Sequence, residues 1–169
     1  MTQKVSTEKL KTLREQSGAS VIACRNALLE SAEDMDKAIE ILKKQSLFVA
    51  EKKKGRIASQ GLIEAYVHAG GRIGAMIEVN CETDFVARTD EFKQLAHNLA
   101  MQVAAMGPLY VSKDKIPAGS EAKPEEACLL MQPYIRDQAR TVQDVISEVI
   151  ARTGENIIVS RFIRFELGE

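Results

Sequence analysis

The chain has 169 residues, 45% hydrophobic and 28% charged, enough to bury a core as one ordinary domain or as a small and a medium one. Its 23 basic and 24 acidic residues leave a net charge of −1, which excludes a general electrostatic pull toward nucleic acid. Residues 1–20 hold no apolar run suited to a signal peptide, and nothing approaches the roughly 18 consecutive apolar residues of a membrane span. Cys24, Cys81 and Cys128 form neither a disulfide framework nor a CxxC metal pair, so a reducing cytoplasm is expected.

Residues 1–46 read as three short helices. Ser6 can cap the first, with Leu10 and Leu13 on one side and Gly18 as its stop. Ser20 can cap the second, where Val21, Cys24 and Leu28 recur at helical spacing and Ile22 and Leu29 fall on another face. Asp34 can cap the third, with Met35, Ala38, Ile39 and Leu42 as its apolar stripe. Helices this short are marginal alone, so they must pack together, with Cys24 as a core filler. Ala50 to Arg56, carrying the Lys52–Lys54 run, reads as a solvated linker. The boundaries are therefore a module at 1–50, a linker at 51–56 and a core domain at 57–169.

A hairpin is expected over residues 60–82, turning at Gly70-Gly71. Ile63, Ala65 and Val67 alternate with the more polar Glu64, Tyr66 and His68, and Ile73, Ala75, Ile77 and Val79 share one face of the returning strand. Phe92, Leu95, Leu99, Val103 and Met106 mark a helix that starts after Thr89-Asp90 and stops at Gly107-Pro108. Residues 107–124 suggest a brief extended piece at Leu109–Val111 and then a loop, followed by a short helix from Glu125 to Met131. Thr141 with Asp144 resembles a capping box, and Val142, Val145, Ile146, Val149 and Ile150 form an amphipathic stripe ending at Gly154. The last strand places Ile157, Val159, Arg161, Ile163, Phe165 and Leu167 on one face by simple alternation, and Ile158 and Phe162 on the other. The predicted class is α+β: an N-terminal three-helix bundle, then an antiparallel sheet packed with helices on one side.

Between the second hairpin strand and the following helix lies Thr83-Asp84-Phe85-Val86, a connection with an aromatic ring beside a carboxylate. Connections run over the surface, so Phe85 is either tucked under locally or presented to something. Catalytic chemistry is hard to assemble. There is no P-loop, and His68 and His97 lack the cysteine neighbours of a zinc site. Cys81 near Glu82 is the one candidate nucleophile, and alternation sets His68 on the opposite face from it. No enzyme activity, cofactor or bound metal is expected.

The stretch Val79-Asn80-Cys81-Glu82-Thr83-Asp84-Phe85-Val86-Ala87-Arg88 closely resembles the signature of elongation factor Ts, the nucleotide-exchange factor for the translational GTPase elongation factor Tu. Three further stretches agree in the same order: Leu13-Arg14-Glu15 through Cys24-Arg25-Asn26-Ala27-Leu28, Gly55-Arg56-Ile57-Ala58, and Arg161 through Glu169. The resemblance implies a ubiquitin-associated-like first module that docks on Tu through Arg14, Gly18, Ala19, Val21 and Ile22. It also implies that Thr83, Asp84, Phe85 and Val86 dislocate Mg²⁺ in Tu and so release GDP. Where the family commonly has Gly-Ala-Gly followed by two methionines, this chain has Gly18-Ala19-Ser20-Val21-Ile22, which keeps an apolar patch of different shape. Long family members carry two copies of the α/β subdomain. About 115 residues after the linker leave room for one, which implies a short-form member and a homodimer that replaces the second copy. A passive binding module or chaperone of a GTPase is the alternative reading, and a thiol enzyme built on Cys81 a third.

Overall fold

In a computed structural model of the chain, residues 5–168 are described. Met1–Lys4, at the start of the expected first module, and Glu169, the end of the C-terminal matching stretch, lie outside them. The local caps set the frame. Ser6, Ser20 and Asp34 each accept a backbone N–H at the start of α1 (Thr7–Ser17), α2 (Val21–Glu30) and α3 (Met35–Lys53), and Gly18 closes α1 in the left-handed conformation. Leu13, Cys24, Ala27, Leu28, Ala38 and Leu42 form the small core between them. Two expected core positions lie outward, Val21 at 45% exposed and Ile39 at 39%, while Ala27 and Ala38 are fully buried. Helix α3 runs past its expected end near residue 46 to Lys53, so the lysine run begins as helix, with the Lys52 ammonium 4.2 Å from the Phe48 ring centre.

The hairpin forms β1 (Gln60–Val67) and β2 (Ile73–Cys81), and β5 (Ile158–Glu166) pairs antiparallel on the other edge of β2, giving the order β1-β2-β5. Gly61 is required where it stands: its φ is +147°, and a Cβ there would lie 2.1 Å from the Val79 carbonyl oxygen. Helices α5 (Asp90–Met106) and α7 (Val142–Thr153) supply Phe92, Leu95, Leu99, Val103, Val142, Ile146 and Ile150 to a core whose sheet side is Ala75, Ile77, Val79 and Val159. Between α5 and α7 lie α6 (Pro124–Ala127) and a short hairpin of β3 (Pro133–Tyr134) and β4 (Asp137–Thr141), which the sequence pattern did not reveal. The expected helix from Glu125 to Met131 is split at Cys128, which bridges to Tyr110.

The helices choose which side of β1 faces inward. Register sets Glu64 opposite Ile77 and Tyr66 opposite Ala75, so the polar set turns in and the apolar set out. Ile63 and Val67 are 61% and 68% exposed, while Glu64 is accommodated by His97, whose Nδ1 is 2.9 Å from Oε1. A bulge corrects the terminal strand as well. Val79 pairs with Val159 but Glu78 with Arg161, so Ser160 is an extra residue that flips the alternation. Phe162 therefore packs against the core, and Ile158, Ile163, Phe165 and Leu167 face out. With Met76 they give the sheet an apolar outer face that no described helix covers.

The bundle rests on α7. Val49 and Ala50 of α3 pack against the larger core, and Lys43 Nζ lies 2.8 Å from Asp144 Oδ2. A cleft of about 830 Å³ remains between the two, lined by Arg14, Ala19, Lys43, Val49, Arg140 and Arg152 among others. No helix among the described residues is long and apolar enough to cross a membrane.

Candidate functional site

The segment after β2 is a single helical turn, α4 (Asp84–Ala87), and its parts point in opposite directions. Val86 and Ala87 are 6% and 8% exposed and belong to the main core, whereas Phe85 is 77% exposed. One helical turn does not persist by its own hydrogen bonds, so its neighbours must hold it. Thr83 does most of this. Its hydroxyl accepts the Val86 N–H at 3.3 Å, and its carbonyl takes the Ala87 N–H at 3.3 Å and the Cys81 thiol at 3.1 Å. Asp84 reaches Arg88 at 2.8 Å on the surface, where such a pair is worth little.

A second tether comes from the far end of the chain. The Glu155 carboxylate accepts the N–H groups of Glu82 (3.1 Å) and Thr83 (3.0 Å) and the Thr83 hydroxyl (2.6 Å). Glu82 returns the contact, accepting the Asn156 N–H at 2.7 Å. Nothing in the residue pattern singled out Glu155. The available signal was weak: a carboxylate just past the C-terminal end of a helix, where the dipole disfavours negative charge.

Cys81 is a hydrogen-bonding core thiol. It is fully buried, and desolvation, with the Glu155 charge behind it, pushes its pKa up to about 11, against thiolate formation. His68 in fact lies on the same side of the sheet as Cys81, since its N–H pairs with the Ile73 carbonyl. It stands eight positions along the strand, on the order of 26 Å away, and is exposed. Among the described residues no group of three or more His, Cys, Asp or Glu side chains is placed to hold a metal ion.

The expected docking residues gather at the α1–α2 turn. Arg14 is exposed, Gly18 adopts φ +64°, Ala19 is half-buried, and Val21 and Ile22 are 45% and 73% exposed. Arg14 and Val21 also line a shallow groove with Leu10 and Lys11. Arg152, at the end of α7, ties this turn toward the other site. Its Nη1 lies 3.5 Å from the Ser17 carbonyl oxygen, and its Nε bonds Glu91 at the start of α5. The end of α7 thus reaches both regions.

A family model described as "Elongation factor TS" matches residues 3–125. Proteins named "Elongation factor Ts" align along nearly the whole chain. The one from Moorella thermoacetica is 48% identical over 195 aligned positions, covering 98% of this chain and 96% of that protein. The one from Thermotoga neapolitana is 50% identical over 193 positions, covering 98% of each, and the one from a Thermoanaerobacter species is 45% identical over 195.

Proposed function

The chain belongs to the elongation factor Ts family, whose role lies in translation elongation, and from that premise we propose that it is the guanine-nucleotide exchange factor for elongation factor Tu. The observation that carries the reading is Phe85: a large apolar ring, 77% exposed, on a turn anchored from beneath by Val86 and Ala87. An exposed phenylalanine on a held turn is suited to enter a partner rather than to support its own core.

Exchange needs no catalytic group on this chain. Mg²⁺ demands near-octahedral geometry at about 2.0–2.1 Å, so a small displacement of the elements that hold it in Tu loosens nucleotide and metal together. Phe85 is the wedge, Asp84 disturbs polar contacts near the metal, Thr83 caps the turn and Val86 fixes it to the core. Arg14, Gly18, Ala19, Val21 and Ile22 dock the first module (1–50) on Tu. Residues 51–56 connect it to the exchange domain (57–169), and the protein works in the cytoplasm. A factor of this kind must bind nucleotide-free Tu more tightly than Tu·GDP, and by linkage GDP weakens the factor as much as the factor weakens GDP. A thousandfold effect corresponds to about 4 kcal/mol. Titrating Tu with the protein, with and without saturating GDP, tests this: equal affinities would leave only the passive binding module.

The uncovered face of the sheet supports a homodimer. Ile63, Val67, Met76, Ile163, Phe165 and Leu167 are 46–68% exposed on one face, and a second copy about a two-fold axis covers it sheet on sheet. Sedimentation equilibrium should give twice the 18.7 kDa chain mass, and Phe165→Asp should reduce it to one. A wild-type mass of one chain throughout would contradict the pairing.

A further inference from the structure

We propose that Glu155 is a positioning residue for nucleotide exchange, clamping the Thr83 end of the exposed turn so that Phe85 meets the partner already in place. The proposal rests on the exchange reading above. All three donors on the Glu155 carboxylate come from residues 82 and 83, so its hydrogen-bonding capacity is largely used inside the molecule. The bonds are charge-assisted and sit just before Phe85, at the start of α4, where the buried Cys81 thiol is the other tether of Thr83, while Val86 and Ala87 hold the far end in the core.

The clamp also extends backward. Asn156, 3% exposed, donates its side-chain N–H to the Arg56 carbonyl at 2.8 Å, while the Glu82 carboxylate lies 3.6 Å from Arg56 Nη1. Two adjacent residues thus fasten the exchange turn on one side and the chain leaving α3 on the other. Docking by the first module and entry of Phe85 then occur as one rigid approach. Ordering a loop before binding removes a cost that would otherwise fall on the exchange step.

The test compares Glu155→Gln, Thr83→Val, Thr83→Ser and the Glu155→Gln/Thr83→Val double variant. Each is measured for GDP release from Tu across factor concentration, and for amide hydrogen exchange at Glu82 and Thr83 in the free protein. Glu155→Gln should lower the maximal release rate about tenfold or more while leaving the half-saturating concentration within about twofold, and should speed exchange of both amides. Thr83→Val should share the loss, Thr83→Ser, which keeps the hydroxyl, should recover most of the rate that Thr83→Val loses, and the double variant should be no worse than Glu155→Gln alone. An unchanged maximal rate for Glu155→Gln, or unchanged amide exchange, would overturn the proposal. Multiplying effects in the double variant would also overturn it, by showing that Glu155 acts on Tu independently of Thr83. If Glu155→Gln fails to fold, the exposed Thr83→Val carries the test, and a wild-type rate for it counts against the clamp. Should wild type itself fail to release GDP, the exchange reading falls, and amide exchange alone decides whether the clamp exists.

Discussion

Phe85→Ala separates a partner-facing role from a structural one. With 77% of the residue exposed in the free protein, truncation removes less than a quarter of the ~1.5–3 kcal/mol that full burial of such a side chain contributes. The expected loss of stability is therefore about 0.7 kcal/mol or less, a change of about 3 °C or less in the unfolding midpoint for a chain of this size. A phenylalanine packed in a complementary site costs about 3–5 kcal/mol when cut to alanine. If the ring is buried in Tu only as nucleotide leaves, that whole cost falls on the exchange step, roughly two to four orders of magnitude in rate. Stopped-flow release of labelled GDP gives the second number and thermal unfolding the first. A release rate within about threefold of wild type would refute the wedge. A large fall in unfolding temperature would refute the claim that Phe85 supports little of its own core.

Asp84→Ala should slow GDP release less than Phe85→Ala and cost under about 1 kcal/mol of stability, because its contact with Arg88 is exposed; release kinetics and thermal melts check both. Gly61→Ala should cost more than about 2 kcal/mol, since a Cβ would overlap the Val79 carbonyl and φ is positive, and a urea unfolding midpoint near wild type would contradict that packing. Asp144 is buried, which alone would raise its pKa, but hydrogen bonds from Lys43 and from the Thr141 N–H and hydroxyl outweigh burial and hold it below the ordinary aspartate range. Its contribution is thus complete above about pH 4 and is lost as pH falls through the lower folded value. Asp144→Asn should flatten the acid side of the stability–pH curve measured by urea unfolding, and an unchanged acid slope would contradict it.

What was legible in the sequence was local. The five long helices among the described residues each carried a side-chain cap at the start, at Ser6, Ser20, Asp34, Thr89 and Thr141, and Gly18, Gly107 and Gly154 each took the left-handed conformation of a stop. These interactions span three or four residues and need no tertiary context. The inward face of the sheet was not legible. Alternation in β1 names two faces without saying which one the helices cover, and the answer, with Glu64 in and Ile63 out, depends on β2 and His97. The bulge at Ser160 reversed the terminal strand for a similar reason, since its cause lies in pairing with Glu78 and Val79. At the proposed exchange site the motif itself was visible, although spacing alone left Phe85 either tucked under or presented and only the family resemblance favoured exposure. The Glu155 tether was not, because its partners lie 72 and 73 residues away in sequence.

The most direct test is release of labelled GDP from elongation factor Tu in excess unlabelled nucleotide, with this protein present at substoichiometric concentration. Every Tu molecule should lose its label, at a rate that rises with factor concentration, because each factor molecule is displaced by incoming nucleotide and acts again. Release at the spontaneous rate, or release that stops at one Tu per factor chain, would contradict it.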